Sequence, residues 1–199
     1  NDLGFYKFKE VNHEGIPLVI ARMGYSRELC SEIFLQDHSK GDELWEILWQ
    51  AGQDLNISAG SPNRILRLEG GILSYLADID RTNNPYEVGL ERMIDLDQED
   101  DFIGKEALRE ISLKGPAKKL MGAEIQGDPI KVFNEEHWPV SINGKTVGSM
   151  NALVYSPRLD KNICYTILNI EHAKSGQEII ISSPEKELVA TTVDLPWLE

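Results

Sequence analysis

Cysteine is scarce in this chain: Cys30 and Cys164 are the two it has, far apart and without CxxC spacing. That excludes a disulfide-stapled secreted scaffold and leaves reduced structural thiols in a cytoplasmic protein as the expectation. The four histidines, His13, His38, His137 and His172, show no metal-ligand spacing, so no metal centre is expected. Basic residues are also few. Twenty Lys and Arg stand against 33 Asp and Glu, for a net charge of -13. A balance of that sign argues against a nucleic-acid or anionic-membrane partner, since both require a basic face. The aromatic residues are scattered and build no stacking platform. No apolar run is long enough to span a membrane, and no signal peptide opens the chain. P-loop, GxGxxG and nucleophile-elbow motifs are missing, and Ser26, Ser31 and Ser61 have no obvious His partner. No Met opens the sequence, and strand-like residues begin at once. A fragment reads this way, and so does a trimmed chain.

What is present is a globular composition, 41% hydrophobic and 27% charged over 199 residues. FYKFKE alternates, NHEG turns and IPLVIAR runs back, which predicts a hairpin, with a third strand at SEIFL. Ser39 is the expected cap of a helix over KGDELWEILWQAGQ. Leu44, Trp45, Leu48 and Ala51 recur there at helical spacing, and the Trp45–Trp49 pair reads as core. The acidic run Asp95 to Asp101 lacks calcium-loop spacing and reads as a solvated face. GKEALREI reads as a short helix, and Lys114-Gly115-Pro116 as a boundary. Beyond it, KKLMGAEIQ, WPVSI, KTVGSMNALVY, NICYTILNI, QEIIIS and ELVATTVDL read as short strands. Asn143-Gly144 between two of them is a strong hairpin signal. A small closed barrel or a sandwich is expected.

Ser58 to Leu90 joins these regions. Ser61 is the expected helix cap and Pro62 the first helical residue, with Gly70-Gly71 ending the helix or letting backbone come close. ILSYLADI reads as strand or turn, and Asn83-Asn84-Pro85 as a turn before Tyr86-Glu87. Arg64, Arg67 and Glu69 lie among apolar residues, and each needs its own partner. A structural ion-pair network and a polar ligand cavity are both open readings. Glu32 sits within the apolar SEIFL strand. Strand alternation can place it in solvent, or its two oxygens can grip an N–H-rich ring.

Taken in order, GYS…SEIFL, SPNRILRLEGGILSYLADIDRTNNPYEVGL and DFIGKEAL resemble the glycine cleavage T-protein (aminomethyltransferase) family over residues 22 to 108. Its pattern is roughly GYTGE…EI, ARDxLRLExGLxLYGxDxD…P.E.GL and DFIGKxAL. KGPAKKLMGAEI, VGSMNALVYSPRLDKNICYTIL and VDLPWL resemble the family's C-terminal barrel. SPN, LSY and KGPAKKL are similar to its dimethylsulfoniopropionate demethylase-like branch. Asn63-Arg64 stands where true aminomethyltransferases have Arg-Asp, and Leu76-Ala77 where Tyr-Gly is usual.

The resemblance implies an α+β fold: the second half of a T-protein-type folate-binding domain over residues 1–115, then an antiparallel β-barrel domain over 116–199. It implies tetrahydrofolate as cofactor, a small sulfonium or amine methyl donor, and transfer of a one-carbon group to folate. Glycine-cleavage aminomethyl transfer, with a lipoyl carrier protein as partner, is the alternative. A non-catalytic folate-binding regulatory protein is the second. By resemblance Glu32 holds the pterin edge, Tyr25 packs near it, Asn63 occupies the ligand-facing position, and Tyr86 belongs to the Pro-x-Glu turn. Arg67 and Glu69 match the structural LRLE core. The family's N-terminal half, with its Asp beside the reactive nitrogen, has no counterpart here. The resemblance therefore implies no catalytic residue in this chain, that missing half as its partner, and no activity for the chain alone.

Overall fold

A computed structural model describes residues 3–198 of the chain. Contacts divide it into two compact units, Asn1–Arg67 and Leu68–Glu199.

In the first unit the alternating segments fold into an antiparallel sheet of order β1-β2-β3, with β1 at Phe8–His13, β2 at Ile16–Ala21 and β3 at Glu32–Leu35. The β1–β2 connection is the expected tight turn. Glu14 and Gly15 both take positive φ, and Asn12 Oδ1 accepts from Gly15 N–H at 2.9 Å. Ile16, Leu18 and Ala21 of β2 are buried, so the central strand is the core of the unit. Helix α1 runs Gly41–Gly52. Its expected cap is corrected. Ser39 lies inside a 3₁₀ turn, His38–Lys40, whose cap is Asp37, accepting from Ser39 N–H at 3.0 Å and from its hydroxyl at 2.7 Å. Both donors lower the Asp37 pKa, the hydroxyl most. The reading of Trp45 and Trp49 as core is corrected too. Their rings stack on each other at 5.8 Å, and Trp45 is 53% exposed. Periodicity gave the helix an apolar stripe, but the main neighbours of α1 are its own flanking turns.

Helix α2 is Arg64–Glu69. Ser61 and Pro62 were expected to open it. Asn63 does so instead, its Oδ1 accepting from Ile65 N–H at 2.9 Å and Leu66 N–H at 3.2 Å. Gly71, at φ 70°, ends it as expected, donating to Leu68 C=O.

The second unit opens with turns. ILSYLADI forms no named strand, only a bridge between Tyr75 and Ile79. Helix α3, Lys105–Lys114, then precedes six strands. These are β4 (Lys118–Ile125), β5 (Trp138–Ile142), β6 (Lys145–Ser156), β7 (Lys161–Asn169), β8 (Glu178–Ser182) and β9 (Glu187–Val193). They close into an antiparallel barrel of order β4-β7-β6-β5-β8-β9, with β9 pairing back onto β4. Of the two β architectures expected, the barrel is the one formed. Asn143 and Gly144 both have positive φ, as a two-residue hairpin between β5 and β6 requires. Met121, Met150, Leu153, Leu168, Ile179 and Ile181 are among the side chains filling the interior. Each such burial is worth roughly 1.5–3 kcal/mol before the cost of ordering. Cys164 is buried among them, and desolvation alone drives its thiol pKa far above the usual thiol range. The chain's end lies on this unit. Trp197 stacks on Tyr165 at 5.8 Å, and a Cβ at Gly122 would come within 2.8 Å of the Trp197 ring.

Among the described residues no helix is long and apolar enough to cross a membrane, and no cluster of His, Cys, Asp or Glu could hold a metal ion. Cys30 and Cys164 are both free thiols.

Candidate functional site

Three of the four residues singled out from the sequence belong to the first unit. Glu32 is the first residue of β3, opposite Ala21 of β2, and is half-buried. The register puts it on the sheet face shared with Phe8 and Ala21, two strands across. Among the described residues its carboxylate has no hydrogen-bond or ion-pair partner. Tyr25 lies in the loop between β2 and β3, 44% exposed, with the Arg67 guanidinium 6.0 Å from its ring centroid. That is within cation–π range, and Arg67 itself is only 2% exposed. Asn63 is exposed, and its carbonyl oxygen is committed to capping α2, which leaves its NH₂ group as the donor free to face a ligand.

Helix α2 therefore links two of these features. Its cap is Asn63, and Arg67, in its last turn, holds the Tyr25 ring. The match of Arg67 to the LRLE core named no partner for it, and Tyr25 is one. No local signal names the partner, because Tyr25 lies in a loop far upstream of the helix.

Tyr86 lies in the second unit, half-buried in a turn built by its neighbours. Asn84 Oδ1 accepts from Tyr86 N–H at 3.1 Å and Glu87 N–H at 3.2 Å, and Glu87 Oε2 accepts from Asn84 N–H at 3.3 Å. Glu87 C=O accepts from Leu120 N–H at 2.7 Å, tying the turn to β4. The Glu87 carboxylate thus serves its own turn.

Glu69 is 1% exposed in the second unit. Its Oε1 accepts from the Ser156 hydroxyl at 2.5 Å, its Oε2 lies 3.6 Å from Arg158 Nε, and its carbonyl accepts from Leu198 N–H at 3.2 Å. Tyr165 OH lies 3.3 Å from the carbonyls of both Leu68 and Ile72. Of the two readings left open for these charges, Glu69 answers to a structural network.

Two domain descriptions match the chain: the GCVT N-terminal domain over residues 1–98 and the glycine cleavage T-protein C-terminal barrel domain over residues 118–199. The chain belongs to the glycine cleavage T-protein family. Dimethylsulfoniopropionate demethylase DmdA of Ruegeria pomeroyi is 34% identical over 184 residues, covering 92% of this chain and 50% of that protein. An aminomethyltransferase of Halothermothrix orenii is 33% identical over 200 residues, covering 100% of this chain and 55% of its own length. The crystal structure of glycine cleavage system aminomethyltransferase T from Bartonella henselae shares the fold, with a TM-score of 0.84 at 23% identity. It is matched over 100% of this chain and 54% of the other. The chain thus spans about half the length of the T-protein relatives it matches. Its mixed helix-and-sheet architecture, a GCVT-type region followed by a closed six-stranded barrel, is the family's fold.

Proposed function

We propose that this chain is the C-terminal portion of a tetrahydrofolate-dependent one-carbon transferase, moving a methyl group from a small sulfonium or amine donor. The observation that carries the proposal is the in-order match to both T-protein domains, together with 34% identity to a dimethylsulfoniopropionate demethylase. Residues 1–115 would serve the folate region and 116–199 the barrel, in a cytoplasmic enzyme.

The residues present fit a donor-rich heterocycle. The Glu32 carboxylate, without a partner among the described residues, offers two acceptor oxygens to paired ring N–H groups. The Tyr25 ring offers a flat apolar surface, and Arg67, packed on that ring, restricts its motion. The Asn63 amide adds a neutral donor. Bound tetrahydrofolate supplies the nitrogen nucleophile that takes up the one-carbon unit. The part of these side chains is to bind and orient it, which is how positioning lowers the barrier of a transfer between two bound partners. A carboxylate that handles protons at the reacting nitrogen would come from the remainder of the full-length protein.

A second reading, aminomethyl transfer from a lipoyl carrier, is favoured by the Halothermothrix orenii relative, which matches over the whole of this chain. Assay of the full-length protein with tetrahydrofolate separates the two. Methyl transfer from a free small donor without a lipoyl carrier supports the first, and strict dependence on the carrier the second. Folate binding with neither turnover leaves a regulatory protein. The chain alone is expected to show no methyl transfer.

A further inference from the structure

Within the second unit, one rim of the barrel carries a cleft of about 380 Å³. Its walls are the loop Asp78–Asn83, Lys118 at the start of β4, His137 just before β5, residues 146–151 of β6, and Asn169 at the end of β7. None of the residues assigned above to folate lines it. The volume is in the range of small-molecule sites.

The cleft is built from satisfied groups around one unsatisfied charge. Asn151, 1% exposed, donates to Asp78 C=O and accepts from the Ser149 hydroxyl at 3.3 Å, fixing the loop to β6. His137 Nε2 lies 3.0 Å from Ala77 C=O, so the ring is held from the other side. The two carboxylates are turned into their own loop. Asp78 accepts from Ser74 N–H at 2.6 Å, and Asp80 accepts from Thr82 N–H at 2.7 Å and the Thr82 hydroxyl at 2.6 Å. Lys118 pairs with Asn169 across β4 and β7 in the barrel ladder. Among the described residues its ammonium has no hydrogen-bond or ion-pair partner. Thr146 and the Asn169 amide add neutral donors, and Ile79, Val147 and Ile167 add an apolar wall.

We propose that this cleft binds a small organic oxyanion, a carboxylate or phosphate on a short aliphatic body, with Lys118 as its charge partner. An ammonium lacking a carboxylate, beside hydroxyl and amide donors, matches an oxyanion's acceptor-only oxygens. The aliphatic body covers Ile79, Val147 and Ile167. The close approach of Gly148 to β7, where a Cβ would fall 2.1 Å from Ile167 C=O, keeps this wall flat.

The test is titration of the ¹⁵N-labelled chain with butyrate and, separately, inorganic phosphate, read at the amide signals of Gly148, Ser149, Asn151 and Asn169. Saturable shifts confined to these signals are expected. Butyrate binding more tightly assigns a carboxylate ligand, and phosphate binding more tightly a phosphate one. Lys118→Gln is expected to weaken binding by about tenfold, the loss of one charge-assisted hydrogen bond. Lys118→Arg is expected to restore it. Asp80→Asn, which removes a nearby negative charge, should strengthen binding. Lys118 and Asp80 are exposed, so these variants are expected to fold, and unchanged signals elsewhere in the barrel verify it. No saturable shift with either probe, equal binding by Lys118→Gln, or weaker binding by Asp80→Asn would overturn the proposal.

Discussion

The Ser156 hydroxyl donates to Glu69 Oε1 across 87 positions of sequence, at 2.5 Å and out of contact with solvent. The same hydroxyl accepts from Leu159 N–H at 3.0 Å, so one oxygen settles both a loop turn and a buried carboxylate. Ser156→Ala strands an acceptor of a buried acid, and a loss of about 1–3 kcal/mol in unfolding free energy is expected in urea titration. Arg158→Gln should cost less, about 0–1 kcal/mol, because Arg158 is 48% exposed and its attraction to Glu69 is screened by water. A larger effect from Arg158 than from Ser156 would reverse this ranking.

The cap of α2 is separable from any ligand role of Asn63. Asn63→Ala removes both capping bonds and is expected to cost about 1 kcal/mol, read as a lower melting temperature by circular dichroism. Asn63→Asp keeps the acceptor and should retain stability. Ser61→Ala should change little, since the cap lies two residues further on.

For Glu32 the expected outcome follows from acceptors facing donors. Glu32→Gln keeps the shape but turns one acceptor into a donor. Tetrahydrofolate affinity of the full-length protein should fall by roughly tenfold to a few hundredfold, since a charge-assisted bond contributes about 1.5–3 kcal/mol. Glu28→Gln, exposed in the loop before β3, is the control. Calorimetric titration decides it, and equal affinity for Glu32→Gln and wild type would return Glu32 to the role of a solvated strand residue.

Cys164 makes stability depend on alkaline pH. Burial raises its pKa in the folded chain, so the folded thiol keeps its proton where the unfolded thiol, near pH 8.5, has lost it. The folded state then binds one proton more. Stability is therefore full below about pH 8 and falls above it, by about 1.4 kcal/mol per pH unit from this group. Because Lys and Tyr also titrate there, the measurement is the difference in slope between wild type and Cys164→Ala. A thiol reagent should label Cys30, which is half-buried, in the folded chain and reach Cys164 only on unfolding.

Where a feature was set by adjacent residues, the sequence was readable. Gly15 and Asn143-Gly144 announce their hairpins because Gly and Asn take positive φ readily, and Glu14 is carried into it by the turn. The six barrel strands were legible as segments for the same reason. The strand pattern alone left barrel against sandwich open, because that choice rests on β9 pairing with β4, a contact no local pattern encodes, and it was the family resemblance that implied the barrel. Ser61 and Asn63 are both competent caps two residues apart, and only the path of the chain decided between them. Trp45 misled because helical periodicity describes a face without saying what covers it. The Arg67–Tyr25 pairing and the Lys118 cleft were invisible for one common reason: each gathers residues from distant segments with no repeating interval.

The two β structures differ in what they leave open. In the barrel every strand has a hydrogen-bonded neighbour on both sides, so the sheet has no free outer strand. The sheet of the first unit ends at β1 and β3, whose outer edges still carry vacant donors and acceptors. Among the described residues, further strand addition, whether from the same polypeptide, from another molecule or in aggregation, thus finds its openings at β1 and β3, and mutations that blunt those rims are expected to alter association without touching the barrel.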